Sequence, residues 1–94
     1  MSPADIATHL PLVPLWSVVE GSLERSFHFP DFHHTMAFVN AVAWIAQRED
    51  HGPDLFVNWT TCRVRFNTHD VGGLSLNDFI CAAKVDALLD TLST

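Results

Sequence analysis

Basic side chains are scarce in this sequence. Five Lys and Arg stand against eleven Asp and Glu, a formal charge of -6 at neutral pH, and the five are scattered rather than clustered. Holding a phosphate backbone takes a patch of positive charge, so direct nucleic-acid binding is not expected. Cysteine is sparse as well: Cys62 and Cys81 show neither CxxC spacing nor a disulfide framework, which fits a reducing, cytoplasmic setting. Long apolar runs are missing, since the richest segment is interrupted by Asn40 and Gln47 and falls short of the ~18 uninterrupted residues of a membrane helix. No membrane association is expected. The opening stretch from Met1 to Val13 has no basic residue to begin a signal peptide and is broken by Asp5, His9 and two prolines, so it is expected to belong to the mature, soluble protein.

Apolar and aromatic surface is what the chain has in plenty. Hydrophobic residues make up 48% of the 94, with seven Phe and three Trp. A single domain of this size buries only a modest fraction of its surface on folding. Part of that apolar surface is therefore expected to lie between subunits.

The hydrophobic pattern divides the chain into seven elements. Pro3 to Leu10 suits a short helix capped by Ser2, with Pro11 and Pro14 preventing its continuation. Trp16 to Val19 and Ser22 to Phe29 read as a hairpin around Glu20-Gly21, with Leu23, Phe27 and Phe29 on a buried face and Arg25 at its margin. Asp31 caps a helix running to about Arg48, whose apolar stripe (Phe32, Met36, Phe38, Val39, Val42, Ala43, Ile45, Ala46) is wide enough for two packing partners. Leu55 to Trp59 and Cys62 to Thr68 form a second hairpin, in which Cys62, Val64 and Phe66 alternate with Arg63, Arg65 and Asn67. Gly72-Gly73 breaks the chain, and Ser75-Leu-Asn-Asp78 has the pattern of a capping box that opens a final helix to about Leu89. The order α-β-β-α-β-β-α predicts a single α+β domain over residues 1-94, a four-stranded antiparallel sheet with helices on one face.

Among six histidines, His51 and His69 stand where ordered elements end, the first beside Gly52-Pro53 and the second before Asp70 and the Gly-Gly break. Imidazoles on loops held by rigid elements suit proton transfer near neutral pH. His33 and His34 are adjacent on one helix and do not share a face, and His9 and His28 read as surface residues. No HxH, HExxH or paired CxxC supports a metal site, and no GxSxG elbow or glycine-rich phosphate loop supports a hydrolase or nucleotide-binding reading. Trp59 suits either packing or a platform for a planar ring.

Asp50-His51-Gly52-Pro53-Asp54, Trp59, and Thr68-His69-Asp70-Val71-Gly72-Gly73-Leu74-Ser75 with Asp78 together resemble the signature of the pterin-4a-carbinolamine dehydratases. The likeness extends from Leu23 to Leu88. It implies a hydro-lyase that removes water from 4a-hydroxytetrahydropterin to give the quinonoid dihydropterin, in the recycling of tetrahydrobiopterin. It further implies His51 and His69 as the catalytic acid and base, and Pro53, Trp59 and Asp78 as residues that bind or support the substrate. No cofactor or metal is called for, because the chemistry is proton movement alone. A homodimer or homotetramer is implied. So is a second possibility, a protein partner, because some members act as interaction modules, stabilising a transcription-factor dimer as coactivators or assisting Rubisco assembly. Two positions depart from the pattern: Gln47 stands where an acidic residue is usual and Gly52 where a second histidine is usual.

Overall fold

In the computed structural model, which describes residues 1–92, the expected order of elements is found. Helix α1 spans Pro3–His9, strands β1 and β2 span Ser17–Val19 and Ser22–His28, and helix α2 spans Phe32–Glu49. Strands β3 (Asp54–Val57) and β4 (Thr61–Phe66) follow, then helix α3 (Leu76–Leu92). Short 3-10 turns at Leu10–Leu12 and His69–Val71 fill the connections. No helix of the described residues is long and apolar enough to cross a membrane.

The strands form one antiparallel sheet in the order β1-β2-β4-β3. Leu23, Arg25 and Phe27 of β2 stand opposite Phe66, Val64 and Cys62 of β4. The period of two puts these residues on one face, and all but Arg25 are buried. Helix α2 covers that face with Thr35, Phe38, Val42 and Ile45, and α3 contributes Phe79, Ala82 and Val85. Phe38 is fully buried, with its ring centroid 4.6 Å from Phe27 and 5.0 Å from Phe29. Truncating such a side chain to alanine costs about 3–5 kcal/mol.

Several local expectations are refined. Ser2 caps α1 in a full capping box with Asp5, and the side chain of Asp31 accepts from the His34 N–H to cap α2. Arg25 is not left at a margin: its Nη1 donates to Asp86 Oδ1 of α3 at 2.6 Å, and Trp16 Nε1 donates to the same oxygen at 2.8 Å. Strand β3 ends at Val57, short of Trp59, because Asn58 Oδ1 accepts from Thr60 N–H, Thr61 N–H and Thr61 Oγ1–H and so folds the turn. The wide stripe of α2 has a consequence at the surface: Ala43 is exposed and Trp44 is 70% exposed, on a side that the sheet does not cover.

Candidate active site

The end of α2 places the first histidine. Asp50 adopts the left-handed conformation at φ 49°, and the chain closes with Asp50 N–H on Gln47 O at 3.4 Å and His51 N–H on Ala46 O at 3.0 Å. This pairing satisfies the last carbonyls of the helix and turns the chain sharply. The His51 imidazole then lies nearly parallel to the Phe66 ring of β4, with centroids 5.9 Å apart and planes 13° apart.

His51 meets a buried carboxylate. Its Nε2 is 2.5 Å from Asp78 Oδ1, and the Asp78 side chain is 0% exposed. The other oxygen, Oδ2, accepts from Thr68 Oγ1–H and from the Ser75 backbone N–H, each at 2.9 Å. Ser75 Oγ is 2.6 Å from Thr68 Oγ1. The expected capping box at the start of α3 is therefore only half formed: Asp78 accepts from Ser75 N–H, but the Ser75 hydroxyl turns to Thr68 while Asp78 N–H bonds to Ser75 O.

Beside this cluster lies an open groove of about 390 Å³ lined by Ala43, Ala46, Gln47, Asp50, His51, Gly52, Pro53 and Leu55. Gln47 and Gly52, the two departures noted in the sequence, are both exposed in it. A Cβ built on Gly52 meets nothing within 4 Å. Along α2 the groove adjoins a second hollow, bounded by Asn40, Ala43, Trp44 and Gln47.

His69 and Trp59 are placed differently. His69 is exposed and lines a separate hollow with Glu20, Gly21, Ser22, Asn67, Thr68, Gly72 and Gly73. Its chain segment nevertheless converges on the same carboxylate, since Thr68 immediately precedes it. Trp59 is 73% exposed and stacks on Phe32, with centroids 4.8 Å apart, at the N-terminal end of α2. At 1.5 Å per residue an 18-residue helix separates its two ends by roughly 27 Å. Within one chain, then, Trp59 does not wall the groove beside His51.

Of the residues singled out from the sequence, His51 and Asp78 are brought together and Pro53 lines the groove that His51 borders, whereas His69 lines a separate hollow and is tied to the cluster only through its neighbour Thr68. Thr68 and Ser75 were not recognised as contributors. The Ser-x-x-Asp spacing that flags Ser75 reads equally well as an ordinary helix cap. Among the described residues no three His, Cys, Asp or Glu side chains gather as a metal ion would require.

Comparison with known proteins gives a consistent result. The family model described as pterin 4 alpha carbinolamine dehydratase matches residues 1–88. A proposed pterin-4-alpha-carbinolamine dehydratase of Stenotrophomonas maltophilia is 57% identical over 94 residues, covering 98% of this chain and 81% of its own length. One from Xanthomonas oryzae pv. oryzae is 56% identical over 92 residues, covering 96% of this chain and 78% of its own. Among solved structures, a transcriptional coactivator/pterin dehydratase from Brucella melitensis superposes with a TM-score of 0.89 at 27% identity, over 94% of this chain and 96% of that one. A pterin dehydratase-like protein identified as a RuBisCO assembly factor in the alpha-carboxysome superposes with a TM-score of 0.64, over 78% of this chain and 84% of that one; at 23% identity this likeness is one of fold.

Proposed function

Because the chain belongs to the pterin 4 alpha carbinolamine dehydratase family, we propose that it removes water from a 4a-hydroxytetrahydropterin to give the quinonoid dihydropterin. The observation that carries the reading is the contact of His51 Nε2 with the fully buried Asp78, on a ring that also lines an open groove. The leaving hydroxyl takes up a proton and departs as water while a ring nitrogen gives one up. One acid and one base are enough, each contributing about 10²–10⁴-fold.

In this proposal the pterin lies against Pro53 and Gln47 in the groove, and His51 and His69 divide the acid and base roles. His69 is exposed, which leaves its side chain free to turn toward a bound ring. A neighbouring copy of the chain completes the assembly, covering apolar surface such as Trp44. A light-scattering mass equal to one chain would refute that last point. The activity is tested by mixing the protein with freshly generated carbinolamine and following the quinonoid product by absorbance. A rate equal to that of buffer would remove the enzyme reading.

The second reading is a protein-interaction module. Gln47 and Gly52 favour it by leaving the groove without the usual acid and second imidazole, and the Brucella melitensis relative is described as a coactivator as well as a dehydratase. Titration with a pterin analogue separates the two: histidine resonances that do not shift would favour the module.

A further inference from the structure

Which nitrogen of His51 takes part in proton transfer follows from the groups behind it. We propose that Thr68 and Ser75 are positioning residues that aim the Asp78 carboxylate at His51 Nε2, holding the proton there and leaving Nδ1 as the atom that accepts a proton from the substrate. This inference rests on the dehydratase reading of the groove.

Asp78 meets its neighbours as an acceptor throughout. The Ser75 backbone N–H can only donate, and it lies 2.9 Å from Oδ2. The Thr68 hydroxyl donates to Oδ2, also at 2.9 Å. A hydroxyl has a single hydrogen, so with that hydrogen on the carboxylate Thr68 Oγ1 accepts from Ser75 Oγ–H, 2.6 Å away. Two donors converging on one oxygen hold the carboxylate against rotation, so that Oδ1 faces the imidazole.

With Oδ1 accepting, Nε2 carries hydrogen, and a neutral imidazole with a proton on one nitrogen presents a lone pair at the other. Nδ1 has no hydrogen-bond partner among the described residues, and the ring borders the groove. Taking up the ring-nitrogen proton at Nδ1 gives an imidazolium whose Nε2–H stays on Asp78. The new charge is then balanced at the buried end, while the hydroxyl takes a proton from the acid partner, His69 in this reading, and leaves as water.

Two further features favour a positioning role. The main chain of Thr68 is fixed by a bridge to Gly73, with Thr68 N–H on Gly73 O at 2.8 Å. The Ser75 hydroxyl is also diverted from the cap that it would ordinarily make at the start of α3, on the Asp78 N–H, toward Thr68. That cap is a standard stabilising contact, and its place is taken by one that orients the carboxylate.

The test labels the imidazole nitrogens with 15N and records one-bond and long-range proton-nitrogen correlations at about pH 8.5, where imidazole is ordinarily neutral. In the parent protein His51 is expected to show a protonated Nε2 and an unprotonated Nδ1. Asp78→Asn presents an amide that can donate to Nε2, and should shift the tautomer and lower kcat by about 10³–10⁴-fold, the scale of a wrong-tautomer catalytic histidine. Thr68→Val should give a mixture of tautomers and about 10-fold lower kcat at little changed KM, as expected for one lost hydrogen bond. Thr68→Ser should restore both. A parent protein with its proton on Nδ1 overturns the proposal, as does Thr68→Val with tautomer and kcat both unchanged. If Thr68→Val does not fold, Ser75→Ala provides the same comparison through the hydroxyl behind Thr68. An inactive parent with the expected tautomer would remove the dehydratase reading and, with it, the role of Nδ1, while leaving the orienting contacts established.

Discussion

Replacing Gly52 with histidine tests whether the groove beside His51 is where the reaction takes place. The position is exposed, a Cβ there meets nothing within 4 Å, and its φ is not in the left-handed region. Pro53 follows, and a residue before proline is held to extended conformations that any side chain adopts. Gly52→His should therefore fold without strain. By restricting the unfolded chain it should gain about 0.4–1 kcal/mol, which for a domain of this size raises Tm by roughly 2–8 °C. The new imidazole would project beside His51 with no buried carboxylate to orient it. Its effect should thus lie at the low end of the range for a positioned acid or base, about 10- to 100-fold in kcat. Gly52→Ala is the control, with the same gain in Tm and no gain in rate. Thermal melts followed by dye fluorescence and stopped-flow absorbance on freshly generated carbinolamine provide the readouts. A lower Tm for Gly52→Ala would refute the reading of open space. A folded Gly52→His variant with the rate of the parent would refute the assignment of the reaction to this groove.

Gln47→Glu restores an acidic group in the same groove and should raise kcat several-fold in that assay, while a negative charge at the C-terminal end of α2 should cost about 0.3–1 kcal/mol in a urea melt. Asp86→Ala leaves Arg25 and Trp16 Nε1 without their acceptor. Because both ion-pair side chains are mostly buried, this should cost about 2–4 kcal/mol by urea unfolding, with the rate per folded molecule unchanged. Burial, reinforced by the charges of Glu49 and Asp78, pushes the Cys81 thiol from its ordinary 9.0 up to about 11. It should resist a thiol reagent at pH 8 until the protein unfolds. The unfolded chain releases that proton first, so this group's contribution makes stability fall as pH rises from about 9 toward 11. A Cys81→Ser variant with the same alkaline slope as the parent would contradict the assignment.

Much of the fold was legible because its signals are local. A period of two in Cys62, Val64 and Phe66, apolar spacing along α2, the caps at Ser2 and Asp31 and the breaks at Glu20-Gly21 and Gly72-Gly73 each involve residues within a few positions of one another. Strand ends were less legible. Asn58 ends β3 with its own side chain, and nothing in the apolar pattern marks that choice. Arg25 reads from the sequence only as a residue at the margin of the buried face, because its partner, Asp86, lies sixty-one positions away.

The candidate site divides along the same line. The sequence by itself determined the family likeness, the two histidines and the departures at Gln47 and Gly52, since these are matters of residue type and spacing. Only the tertiary structure decided which residues meet. It set His51 and Thr68 on opposite oxygens of one buried carboxylate, turned the Ser75 hydroxyl away from its helix cap, and left Trp59 at the far end of α2. The physical reason is that a buried carboxylate must be satisfied by whatever donors the packed chain brings to it. Those donors come from the end of α2, the segment after β4 and the start of α3, which only the folded sheet and helices bring within reach of one another.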